Sequence, residues 1–489
     1  NVGMFQLESP GQMHLSRRLK PRGFSDLVAQ VSLFRPGPVR GDFVTPYVRR
    51  RHGLESYSAL LPELEEILGS THGVMIFQEQ VLEVARAVAG FSLVEGDLLR
   101  RAMTKSRGRG AMDGIKKTFL ERAAGRGVPF GTAEEIFDWM EGFSVYGFPK
   151  AHAASFAYLS YASAYVRCCF PTEFFCGLLN SQPMGFYSPR VLLNEARRIR
   201  TKILPPDIHL SERGFTVEGE DGALRIGLEY CKSLSKSAII SIVSEREKRP
   251  FSSVADLYRR TSVERDSLEA LIRGGFLDAL DANRMRLLDE SGSLPKKRRE
   301  NNHQPEIPLP HPASWWEARE GRGIEYLPLV EIRRERMEWE VLGLNVRRHP
   351  LRPHRGALER LGVTPNNGMG GLRHGTRARA AGLMECLQCP PTKSGHPVWF
   401  LLVEDESGLL QATIFRRVYE RYGDLLHHRG AFLLEGRVEH TVEKGFAFLV
   451  QSVVDLREAL DDAETPVPRV VPSAGAMLRA RRRGRRRAG

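Results

Sequence analysis

With 489 residues, 42% hydrophobic and 27% charged, the chain exceeds one ordinary core and predicts roughly two to four domains. It contains no run of about eighteen apolar residues, so no membrane span is expected. Six cysteines (Cys168, Cys169, Cys176, Cys231, Cys386 and Cys389) are too few for a disulfide framework, and a reducing cytoplasmic setting is expected. A formal charge of +13 favours polyanionic partners, nucleic acid before anionic membrane, with simple solubility as the alternative.

Residues 1–180 are dense in helical periodicity, broken at "FRPGPVRGD", "LLP", "AGRGVPFG" and "YGFPK". Asn1 opens the chain with no signal-peptide pattern, and the chain is expected to be the rear portion of something longer. Basic clusters recur: Arg35, then Arg49–Arg51, then a helix with Arg100, Arg101 and Lys105 near its end. Ser92 and Glu95 have capping-box spacing, which starts that helix at Leu93, and Asp97 can pair with Arg101 at i+4. A solvated basic face is the ordinary reading of each run; their repetition on one helical domain suggests a phosphate-lined cleft.

A helix is predicted from about His152 to Cys169. Ala153, Ala157, Ser160 and Ala164 make a small-residue stripe, Phe156, Leu159 and Val166 an apolar one, and Tyr158, Tyr161 and Tyr165 a third. The apolar stripe calls for a core. The small stripe calls for a close neighbour, either another helix or a ligand. Lys150 and His152 stand where unpaired N–H groups and the helix dipole favour an anion.

Beyond a looser stretch at 196–210, a compact region at 222–290 begins with the strand-like "ALRIGLEY". Residues 291–377 read as a linker carrying one short helix, "VEIRRERMEWEVLGL". Strands are predicted near 379–388, 397–404, 409–415, 431–438 and 445–452, with a helix in "VYERYGDLL". Five strands with a helix after the third match the OB-fold, a small barrel that binds oligonucleotides. Gly408 is available for a positive φ in a tight turn, and Trp399, Phe400 and Phe415 are candidates to stack on bases. Residues 459–489 read as a basic disordered tail.

The blocks "GMFQLES", "LFRPGPVRG", "GVMIFQEQVLEVARAVAGFSLVEGDLLRRAMTKS" and "YGFPKAHAASFAYLSYASAY" resemble, in order, the fingers of bacterial family C DNA polymerases, the polymerase III alpha type. "FFCGLLNSQPMGFYSPRVLLNEARR" resembles the error-prone, damage-response branch. The implied fold is multidomain and mainly α: fingers at 1–195, a helix-hairpin-helix region at 196–290, and a C-terminal OB-fold barrel at 378–458. The resemblance implies that Arg100, Arg101, Lys105, Lys150 and His152 bind the incoming nucleotide. Arg35, Arg49, Arg50, Arg273, Gly274 and Gly275 are the candidate DNA contacts, with a helix C-cap as the competing reading of the glycine pair. The small stripe would then admit the nascent base pair. Partners are primer–template DNA, deoxynucleoside triphosphates and other damage-response proteins. Mg2+ is implied by the resemblance too, on palm aspartates expected upstream, so this stretch alone would hold no catalytic carboxylates and would be inactive. A replicative alpha subunit and a non-enzymatic DNA-binding protein are the alternatives. Two weaker signals remain. Ser233 and Ser235 stand where the family's phosphate-binding hairpin has glycine, and Cys386-x-x-Cys389 lacks the second ligand pair zinc requires.

Overall fold

The computed structural model describes residues 1–34, 43–104, 109–143, 148–295, 297, 329–390, 395–428, 430–441 and 445–460. The chain divides into two compact units, one drawn mainly from Asn1–Cys168 and the other mainly from Cys169 onward.

The first unit is helical: α1 (Pro10–Leu19), α2 (Phe24–Leu33), α3 (Val44–Arg51), α4 (Pro62–Leu68), α5 (Gln78–Ala89), α6 (Leu93–Thr104), α7 (Arg109–Gly125), α8 (Phe130–Phe143) and α9 (Lys150–Cys169). Local chemistry sets the boundaries. Ser9 caps α1 by accepting the Gln12 N–H, and Pro10 occupies the first turn, where a missing N–H costs nothing. Gly90, at φ 65°, ends α5. Two residues later the capping box forms as its spacing predicts: Ser92 N–H donates to Glu95 Oε2 (2.9 Å) and Glu95 N–H to Ser92 Oγ (3.3 Å).

Among the described residues, two apolar clusters stand out in this unit's core. One joins Leu64 and Leu68 to Val81, Val84, Leu99, Phe119, Phe137 and Met140. The other gathers Leu15, Leu19, Val28, Tyr47, Ile76 and Phe77 with Ala153 and Ala157 of α9. The segment from Phe77 through α5 therefore reaches both clusters.

The second unit opens with α10 (Pro171–Asn180), α11 (Pro189–Arg198) and a small sheet of β1 (Ile203–Leu204), β2 (Thr216–Glu218) and β3 (Ala223–Arg225), ordered β1-β3-β2. Then follow α12 (Lys236–Lys248), α13 (Val254–Arg260), α14 (Arg265–Gly274) and α15 (Arg284–Ser293). Within the stretch expected to be a linker, residues 298–328 lie outside the described residues. Its later part is packed: α16 (Glu331–Leu342) lies against α14, and buried Glu338 accepts a hydrogen bond from buried Arg284 at 2.7 Å. Leu351 and Leu358, the latter on α17 (Arg355–Arg360), share a core cluster with Ala381, Leu383 and Leu456.

The five long strands are β4 (Arg377–Gln388), β5 (Val398–Glu404), β6 (Leu409–Phe415), β7 (Ala431–Thr441) and β8 (Gly445–Asp455), with α18 (Arg416–His427) between β6 and β7. They close in the order β4-β5-β6-β8-β7, with β6 parallel to β8 and the other described pairings antiparallel. Gly408 is a correction, since it is not among the positive-φ residues. The turn is held instead by the Asp405 carboxylate, which accepts from the N–H groups of Ser407 (2.8 Å) and Gly408 (2.9 Å).

A buried ionic network fastens this sheet to α11, whose Arg190, Asn194, Arg197 and Arg198 share one face. Arg190 donates to Glu385 on β4 (2.8 Å) and to Glu404 on β5; Arg198 donates to Glu404 at 2.5 Å, and the Asn194 amide donates to Glu404 at 3.2 Å. Arg355 pairs with Asp405 and Glu406. Beside them His349 is fully buried, and burial, reinforced by the neighbouring arginines, holds its pKa well below the usual imidazole value. Its ring is neutral, with Nδ1 accepting the Leu351 N–H.

Candidate functional site

Phe148 and Lys150 are both bolted to the start of α5. Phe148 forms a parallel bridge to Phe77, and the Gln78 N–H donates to the Phe148 carbonyl at 3.0 Å. Lys150 opens α9, and its N–H donates to both carboxylate oxygens of Glu79, 3.0 Å to each. The Lys150 ammonium lies over the Phe77 ring, 5.6 Å from its centroid, on an exposed side chain. His152 sits between aromatic rings, 4.8 Å from Phe148 and 4.5 Å from Phe156.

Helix α6 crosses α5 near that same end. A Cβ on Gly96 would lie 3.2 Å from the Leu82 side chain, one turn into α5. Arg100 and Arg101 follow one turn further along α6, about 6 Å of rise. Arg101 is exposed and makes the pair its spacing predicts, 2.7 Å from Asp97. The Arg100 side chain lies outside the described residues, as do Lys105 and Arg35 entirely.

Among the described basic candidates of this unit, carboxylates are the usual partners. Arg49 and Arg50 both pair with Glu55, at 3.3 and 2.9 Å, and Arg50 also donates to the His72 carbonyl. Arg51 pairs with Asp26, Lys116 with Asp138, Lys117 with Glu121, and Arg122 with Glu95. The Lys150 ammonium differs: among the described residues no carboxylate pairs with it.

The faces of α9 correct the expectation for its stripes. Ala153, Ala157 and Ser160 are fully buried, so the small stripe is where the helix meets the unit's own core and is not open to a base pair. Leu159 and Val166, expected inside, are outside at 48% and 38% exposure, beside Tyr158 and Tyr165. The reason is crowding: alanine and serine let the backbone approach the packed helices closely, so that Leu159 and Val166 turn out while Phe156, half-buried, still packs on the core's edge.

In the second unit the Arg273–Gly275 segment has a structural explanation. Gly275 caps α14 at φ 85°, and a Cβ there would stand 2.3 Å from Arg284 Nη2. Arg284 is held by Asp278 and Glu338 and donates to the Arg273 carbonyl at 3.1 Å. Ser235 is the N-cap of α12, accepting the Ala238 N–H, and the Ser233 carbonyl accepts from Ser267. On the barrel, Trp399 is stacked on Tyr419 (3.8 Å between centroids, 8° between planes), whereas Phe415 is exposed.

Comparison with known proteins supplies what geometry lacks. Residues 1–127 match the model of the bacterial DNA polymerase III alpha subunit finger domain, and residues 200–287 match a helix-hairpin-helix motif. A protein of Symbiobacterium thermophilum named error-prone DNA polymerase is 40% identical over 465 residues, covering 87% of this chain and 42% of the relative. Proteins of the same name from Methylococcus capsulatus and Dechloromonas aromatica are 35% and 37% identical, covering 92% and 95% of this chain and 43% and 44% of theirs. The chain belongs to the bacterial family C DNA polymerases. It spans less than half the length of these family C relatives.

Polymerases of this family imply Mg2+, and the residues described do not fit such a centre. Among them no group of three or more His, Cys, Asp or Glu side chains is arranged to hold a metal ion. The buried acids Glu338, Glu404 and Asp405 are instead committed to arginines. Also among the described residues, no helix is long and apolar enough to cross a membrane.

Sequence reasoning missed Glu79 entirely. It lies in the ordinary amphipathic opening "QEQV" of α5, and nothing local marks it as the partner of an N–H 71 residues away.

Proposed function

We propose that the chain is the nucleotide- and DNA-holding part of an error-prone DNA-directed DNA polymerase, working in damage-tolerant synthesis. The incoming deoxynucleoside triphosphate would be gripped by Lys150, Arg101 and Arg100, with Lys105 beside them and His152 nearer the sugar. Lys150 carries this reading: an exposed ammonium with no carboxylate partner among the described residues, at the start of a helix fixed to α5, is ready for a phosphate. The exposed tyrosine face of α9 offers rings on which bases can stack.

DNA would be followed further by the helix-hairpin-helix region and by the C-terminal barrel. The strand order β4-β5-β6-β8-β7, the parallel β6–β8 pair and the position of α18 support reading that barrel as an OB-fold over single-stranded template. Arg35, Arg49, Arg50 and Arg273 remain backbone-contact candidates, secondary to Lys150; Arg49 and Arg50 would have to share their charge with Glu55. The metal-holding aspartates of the reaction would belong to a part of the polymerase outside this stretch. The name its relatives share favours the error-prone over the replicative reading. The setting would be cytoplasmic, with other damage-response proteins as partners.

Primer extension by the full-length gene product tests this. Lys150→Ala and Arg101→Ala should each raise the KM for deoxynucleotide roughly tenfold, the worth of one charge-assisted contact. Unaltered KM in both variants would count against a nucleotide site here, and absence of any extension against the polymerase reading itself.

A further inference from the structure

Contacts between the Phe77–Glu79 and Phe148–Lys150 segments meet at the start of α9. Pro149 precedes α9 and has no side-chain acceptor, so the helix has no local cap. The carboxylate of Glu79 takes that place from a distant helix, accepting the Lys150 N–H on both oxygens at 3.0 Å. A negative charge is favourable at the positive end of a helix dipole. Just before Glu79 in the chain, the Phe77–Phe148 bridge and the bond from Gln78 N–H to the Phe148 carbonyl fix the approach to α9. The Lys150 side chain is thereby set over the Phe77 ring, two residues before Glu79 in the same segment.

Two consequences follow. The backbone anion seat at the start of α9, which the sequence offered to a phosphate, is already filled by Glu79. What is left for an incoming anion is the Lys150 ammonium. Glu79 does not neutralise that ammonium, since the carboxylate is bonded to the Lys150 main chain and makes no ion pair with Nζ.

We propose that Glu79 is a positioning residue for nucleotide binding: clamped on the first N–H of α9, it holds Lys150 in the orientation that meets the triphosphate. This rests on the nucleotide-site reading of Lys150 given above. Glu79 touches no substrate in this scheme; it acts through the helix start.

The test is steady-state primer extension by the full-length polymerase, with KM and kcat separated. Glu79→Ala should raise the deoxynucleotide KM about fivefold with kcat changed less than twofold. Glu79→Gln, whose amide oxygen still accepts the N–H, should restore KM to within twofold of the parent. In a Lys150→Ala background the Glu79→Ala change should add less than twofold, because both act on one contact. A Glu79→Ala enzyme with unchanged KM, while Lys150→Ala raises it, overturns the proposal and leaves the nucleotide site standing. If Lys150→Ala is itself silent, the underlying reading has failed instead. Should Glu79→Ala not fold, Glu79→Asp carries the same test. One methylene too short to seat both oxygens, it should raise KM about threefold, and an unchanged KM would be decisive against the proposal.

Discussion

At Glu95 one carboxylate gathers Arg122, which donates at 2.7 and 3.0 Å, and the N–H and hydroxyl of Ser92. The hydrogen bonds from Arg122, then those from Ser92, hold its pKa down to about 2. Because the folded value lies below the unfolded one, the group stabilises the native state above the ordinary carboxylate pKa. That contribution is lost as pH falls through the folded value. Acid titration of thermal stability should therefore show a loss between about pH 5 and pH 2 that is smaller in Glu95→Gln; equal slopes for the two proteins would contradict it. The Ser92–Glu95 half of this cluster was legible in the sequence, since a capping box lies within four residues. Arg122, 27 positions on, was not. The Gly274–Gly275 pair was only half legible. A C-cap glycine and a phosphate turn use the same residue for the same positive φ, and only Arg284 behind Gly275 separates them.

Helix α9 was predicted nearly to its limits, and the small stripe met packed helices, one of its two expected neighbours, yet Leu159 and Val166 of the apolar stripe turned outward. Periodicity states which residues share a face; it does not state which face the neighbours leave room for. Ala157→Leu should cost roughly 1–3 kcal/mol by overpacking the buried stripe. Tyr158→Ala and Tyr165→Ala, outside, should each change stability by about 0.5 kcal/mol or less. Denaturant unfolding of the chain separates the two cases, and a destabilising Tyr158→Ala beside a harmless Ala157→Leu would reverse the assignment of faces. If the outer face meets DNA, the tyrosine variants should weaken binding to primer–template while leaving the unfolding midpoint alone.

For the molecule as a whole, the larger surprise lies in how its arginines are used. The excess of positive charge pointed to polyanions, but many described arginines are answered by the protein's own carboxylates, some of them fully inside. Arg190 is 3% exposed and faces both Glu385 and Glu404. Removing one member of a buried pair leaves an uncompensated charge, so Arg190→Ala should destabilise the second unit by about 3–5 kcal/mol. Urea unfolding monitored in that unit checks this, and a loss under about 1 kcal/mol would mean that water reaches the pair.

By itself the sequence determined the kind and order of the elements. Helices, strands and the α6 start follow from periodicity and caps that act over one or two turns. The family blocks were equally plain because they are contiguous strings. Only the tertiary structure decided which face of α9 is inside, which carboxylate answers which arginine, and that Glu79 caps a helix 71 residues away. Those outcomes depend on close packing and on charges meeting at a few ångströms, between residues whose separation along the chain carries no pattern.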